Sequence, residues 1–102
     1  MTTPPYHQIR AMGIPWYRKE DYPKILKIMS DGKVLPRTWA DWSNKAEQLR
    51  EKLVKDGVIV ETILLDPDEF PGWCKARGLD VNSQARTAFA NEAVARKHAS
   101  TH

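Results

Sequence analysis

The chain has 102 residues, 41% hydrophobic and 28% charged, with a formal net charge of +3. That balance fits one small globular domain and excludes an intrinsically disordered chain. No apolar run approaches the roughly 18 residues that a membrane span needs, and a single cysteine, Cys74, excludes an internal disulfide.

The charge is unevenly spread. Residues 1–37 hold seven Lys/Arg against three Asp/Glu, and residues 58–81 hold two against five. Basic ends around an acidic middle are compatible with an anionic partner, and solubility accounts for them equally well. With one cysteine and no charged-then-apolar signal layout at the N-terminus, a reducing, cytoplasmic setting is the simplest expectation.

In chain order, residues 1–13 read as a flexible lead, because Pro4-Pro5 discourages regular structure and Gly13 ends the stretch. Ile14-Pro15-Trp16-Tyr17 forms a compact apolar knot. Its rings either anchor the lead onto the core or make a stacking platform beside Arg18 and Lys19, as a single-stranded nucleic acid would require. The anchor is favoured, since large aromatics in small domains are mostly buried. A first helix follows, with Glu20 or Asp21 as cap, Pro23 in its first turn and Ile25, Leu26, Ile28 and Met29 on one face. Ser30-Asp31-Gly32 stops it, and residues 33–36 read as an extended connector.

Thr38 caps the second helix, with Asp41 three residues on. Trp39, Trp42, Ala46, Leu49 and Leu53 recur at spacings of 3 and 4, which places them on one face. Gly57 suits the residue just past a helix, where a left-handed backbone costs least without a Cβ.

Residues 58–65 form the principal strand: Val58, Val60, Thr62 and Leu64 point one way, Ile59, Glu61, Ile63 and Leu65 the other. Both faces are mostly apolar, so both should be covered. Glu61 implies a solvent gap or a cationic partner. The strand's backbone needs a neighbour. Residues 6–12 or 33–35 could supply one, as could the same strand of a second molecule across a two-fold axis.

Asp66-Pro67-Asp68-Glu69 reads as a helix start. Phe70, Trp73 and Cys74 face inward on the third helix, Gly78 stops it, and Leu79 folds back onto its end. The last helix spans about residues 83–98, capped by Asn82 or Asp80, with Ala85, Ala88, Phe89, Ala93 and the stem of Arg96 on its packing side. Residues 99–102 should fray. The whole is an α+β, mostly helical domain over residues 14–98, with about four helices packed around one principal β-strand at 58–65.

At Pro15-Trp16-Tyr17, Asp66-Pro67-Asp68-Glu69-Phe70, Trp73-Cys74, Ala76-Arg77-Gly78-Leu79, Ala85-Arg86 and Phe89-Ala90, the chain resembles a group of small proteobacterial proteins of unknown function. The resemblance covers most of residues 14–92 and implies no activity, cofactor or site residue.

The residues point to no reaction. Asp66, Asp68 and Glu69 lie close together and His7, His98 and His102 offer nitrogens, yet neither set has metal-ligand spacing, and helix capping explains the acidic trio better. Cys74 sits within a helix with no histidine near in sequence, which favours a buried structural thiol. No phosphate loop or nucleophile elbow occurs, so neither catalytic residues nor a cofactor are expected. A helix-turn-helix reading around Gly78-Leu79 would turn Arg86, Thr87 and Asn91 toward DNA bases, but Gln84 stands where an inward branched residue is needed. The expectation is a non-enzymatic module binding a protein or its own copy. A nucleic-acid binder using the basic N-terminal third or the final helix is the alternative. The candidate surface is Trp16, Tyr17, Arg18, Lys19, Arg86 and Asn91.

Overall fold

The computed structural model describes residues 10–99, with side chains from 11 to 97. The described elements run β1 (Arg10–Trp16), α1 (Tyr22–Ile28), α2 (Trp39–Lys55), β2 (Val58–Leu64), α3 (Phe70–Ala76) and α4 (Ser83–Ala99). The fold is α+β and mostly helical.

β1 and β2 form a parallel pair, with Arg10 beside Val58 and Trp16 beside Leu64. A parallel pair needs a long crossover, and α1 and α2 supply it. The neighbour of the principal strand is therefore within the chain. It begins inside the stretch expected to be a flexible lead and runs through the apolar knot; the rest of that lead, residues 1–9, lies outside the described residues. Residues 33–35 are not the partner, because a 3-10 turn occupies Gly32–Val34 in place of the expected extended connector.

Local chemistry sets the boundaries. The Asp41 N–H donates to Thr38 Oγ1 at 3.1 Å, capping α2, and Gly57 ends it at φ 86°. Asn82 caps α4 by accepting the Ala85 N–H at 3.1 Å. At the end of α3, the Leu79 N–H reaches the Cys74 carbonyl at 2.9 Å and the Gly78 N–H reaches Lys75. With Gly78 at φ 67°, this is a Schellman close, in which the left-handed residue lets the chain reverse onto the last carbonyls. The start of α3 is later than Asp66: that residue's carboxylate accepts the Asp68 N–H at 2.8 Å, making a turn before the helix proper.

The two sides of the sheet are covered differently. A Cβ built on Gly13 would lie 2.4 Å from the Ala90 carbonyl oxygen and 2.9 Å from Val94, so α4 presses directly on β1. This close approach rotates α4 from its expected orientation: Ala85, Arg86, Ala90 and Val94 are buried, while Ala88 and Arg96 are exposed. Glu61 projects from the same side, and Lys97 of α4 lies 2.5 Å from its carboxylate, the cationic partner its position called for. On the other side, Trp16 meets Trp42 of α2 edge-to-face at 5.0 Å.

The core joins Tyr17, Tyr22, Ile25, Met29, Trp42, Leu65, Phe70 and Cys74. Trp42 is its hub, with the rings of Tyr17 and Tyr22 4.6 and 6.1 Å away. A second aromatic group, Phe70, Trp73 and Phe89, fastens α3 to α4 at 5.3 to 5.9 Å.

Candidate strand-edge site

A two-stranded sheet has two outer edges, and an unsatisfied edge is a template for another strand. The Leu65 N–H donates to the Trp16 carbonyl at 2.9 Å. Because a parallel ladder engages alternate residues, that bond puts the even-numbered residues of β1 and the odd-numbered residues of β2 into the ladder. The backbone groups of Ala11, Gly13, Pro15 and Tyr17 face the outer edge of β1. Those of Val58, Val60, Thr62 and Leu64 face the outer edge of β2.

The β1 edge is blunted at three of its four outward residues. Pro15 has no N–H to offer, as befits a proline at an edge position. The Gly13 N–H donates to Asn91 Oδ1 at 3.1 Å. The Tyr17 carbonyl accepts the Trp39 indole N–H at 2.9 Å.

The β2 edge has none of these devices. Among the described residues, no side chain or backbone group bonds the outward N–H or C=O of Val60, Thr62 or Leu64. The strand contains no proline, glycine or lysine, the residues that commonly blunt an edge. Leu64 and Ile59 are each 46% exposed, and Thr62 between them is exposed.

The expected site residues do not form one surface. Tyr17 is 2% exposed and Trp16 half-buried, so the knot is an anchor and not a stacking platform. Arg18 and Lys19 are exposed beside it. Arg86 is 8% exposed and donates both terminal nitrogens to Asp31, at 2.8 and 3.0 Å. Asn91 is exposed, and its Oδ1 accepts the Gly13 N–H. The base-reading set of the helix-turn-helix interpretation thus keeps Thr87 and Asn91 on the surface and loses Arg86, which points into the fold. Spacing alone could not reveal this, since its partner is 55 residues away in sequence.

Burial shapes the ionisable groups around the core. Tyr17 is pushed up from 10.0 to about 12 by loss of water, with the nearby Arg86 charge working in the opposite direction. Burial raises the Cys74 thiol, which disfavours the nucleophilic thiolate. The guanidinium of Arg86 holds the Asp31 carboxyl below its usual range.

A groove of about 240 Å³ lies around the blunted β1 edge, between α2 and α4, with Ile14, Trp42 and Leu49 among its apolar walls and Lys45 and Arg86 as its cations. Leu49, expected on the core stripe of α2, is 48% exposed there. Its Arg86 charge is already neutralised by Asp31. Among the described residues, no set of three or more His, Cys, Asp or Glu is placed to hold a metal ion. No described helix is long and apolar enough to cross a membrane.

No family model, curated protein or solved structure matches the chain. The edge of β2 therefore has to be read from its own chemistry.

Proposed function

We propose that the chain is a small non-enzymatic interaction module that accepts one extended protein strand along the outer edge of β2. The observation that carries this reading is the contrast between the two edges of one sheet: among the described residues, β1 is sealed three ways and β2 by none. Strand addition uses main-chain hydrogen bonds for affinity and alternate side chains for selectivity. The edge offers N–H and C=O groups at Val60, Thr62 and Leu64, with Leu64 and Ile59 as apolar contacts on opposite sides. The lone buried Cys74 agrees with a reducing, cytoplasmic setting. The nucleic-acid alternative keeps Arg18, Lys19 and Asn91 of its residues on the surface, where binding would weaken steeply with salt.

Amide hydrogen exchange tests the reading. At high protein concentration, alone or with an excess of a synthetic extended peptide of alternating valine and threonine, the Val60, Thr62 and Leu64 amides should become protected. Thr62→Pro should abolish the added protection. Exchange at these amides as fast as in an open chain, under both conditions, would reject it.

A further inference from the structure

We infer that the strand accepted is β2 of a second copy, running antiparallel about a two-fold axis through Thr62. This inference rests on the strand-addition reading and names its partner. In an isologous contact each residue meets its counterpart in reverse order, so the choice of axis fixes every pair.

An axis at Glu61 sets the two Glu61 side chains directly opposite, as a close non-hydrogen-bonded pair about 4.5 Å apart at Cα. That axis also sets Leu64 opposite Val58, which is buried under the fold, so only two hydrogen-bonded pairs can form. An axis at Val60 sets Thr62 opposite Val58, which is buried under the fold, and leaves Leu64 beyond the paired segment. An axis at Ile63 sets Val60 against Asp66, whose carbonyl already receives the Glu69 and Phe70 N–H groups.

The axis at Thr62 avoids all three faults. Thr62 meets Thr62, a favourable cross-strand pair. The exposed Leu64 meets Val60 in both directions, and Glu61 lies opposite Ile63. Three hydrogen-bonded pairs form, giving about six backbone bonds. Charge beyond the strand is complementary as well. Antiparallel pairing brings the acidic turn after β2, with Asp66 and Glu69 exposed and Asp68 already paired with Lys24, toward the last turn of the second copy's α2, where Lys52 and Lys55 stand. A foreign strand would need to supply this same pattern; a second copy carries it already.

Single-cysteine variants Val60→Cys, Glu61→Cys and Thr62→Cys, oxidised under native conditions, read the axis directly. Cys74 is fully buried and does not compete. At the proposed axis the two Cα atoms lie about 5.5 Å apart, within disulfide reach, while both other pairs exceed the roughly 7 Å limit. The expected result is a solution mass twice 11.7 kDa for the unsubstituted chain, with Thr62→Cys as the variant that shifts to a covalent dimer on a non-reducing gel. Doubled mass with cross-linking at residue 60 or 61, or at none of the three, overturns the inference. A mass that stays at the single-chain value overturns it too. If exchange still shows the β2 edge protected by added peptide, the strand-addition reading stands without it.

Discussion

Arg86 grips Asp31 through both terminal nitrogens, joining α4 to the turn that follows α1. The same turn is held by the Ser30 N–H, which donates to the Val81 carbonyl at 2.7 Å. Between them these bonds fasten the crossover to the C-terminal helices. The pair is also the most deeply buried charge in the described fold, with Arg86 exposing 10% of its side chain and Asp31 23%.

Removing one partner of such a pair leaves the other charge without compensation. Arg86→Ala should cost about 2–3 kcal/mol, below the 3–5 of a fully buried pair because Asp31 can rehydrate. Arg86→Met with Asp31→Leu should recover much of the loss. The pH dependence follows from the lowered Asp31 carboxyl: its stabilisation is present above the usual carboxylate value and lost as pH falls through the lowered one. Urea midpoints measured from neutral to acid pH should show this loss in the unsubstituted chain and less of it in Arg86→Ala.

Gly13 tests the contact between β1 and α4. Any side chain there would meet the Ala90 carbonyl carbon and oxygen at 2.7 and 2.4 Å, and backbone cannot yield as a flexible side chain does. Gly13→Ala should therefore destabilise by about 1–3 kcal/mol, the usual range for overpacking, although alanine is otherwise the better strand residue. Denaturant unfolding measures it. Unchanged stability would mean that α4 does not lie where it is described.

Much of the architecture was legible because its signals are local. The β-branched run at β2, Thr38 and Asn82 as caps, and Gly57 and Gly78 as helix stops each act within a few residues. β1 was harder to see. Gly13 and Pro15 ordinarily argue against a strand, and here they make sense only through distant neighbours: Gly13 because Ala90 presses on it, Pro15 because its missing N–H faces an edge. The rotation of α4 was hidden for a similar reason. Its alanines give no strong apolar stripe, and Arg86 reads as solvent-facing until Asp31 is placed beside it. Asn91 is the surface residue its pattern suggests, but no local signal shows that its carbonyl oxygen also blunts the β1 edge. The working edge of β2 follows from seeing which residues bond to β1, and no single-strand pattern carries that.

Tyr17 should report unfolding at alkaline pH. Its phenol is raised to about 12 by burial, against 10.0 when freely hydrated. A raised group leaves stability intact below the unfolded value and removes it as pH climbs toward the folded one. Spectrophotometric titration of phenolate absorbance should therefore show Tyr17 and Tyr22, both raised by burial, lagging an ordinary phenol, and thermal midpoints should drop across that same interval. Tyr17→Phe should flatten this part of the decline, because phenylalanine has no proton to release. A single phenolate transition near 10 would contradict the burial of Tyr17.

The lopsided sheet also governs how far association can go. A chain with both margins open could add neighbours indefinitely and grow into a fibre; this one is blunted along β1 by Pro15, Asn91 and Trp39. Were β2 to meet its twin as inferred, the resulting four-stranded sheet would carry a β1 margin on both sides, and growth would halt at a finite pair. Asn91 and Trp39 would thereby limit assembly while contributing nothing to the contact itself.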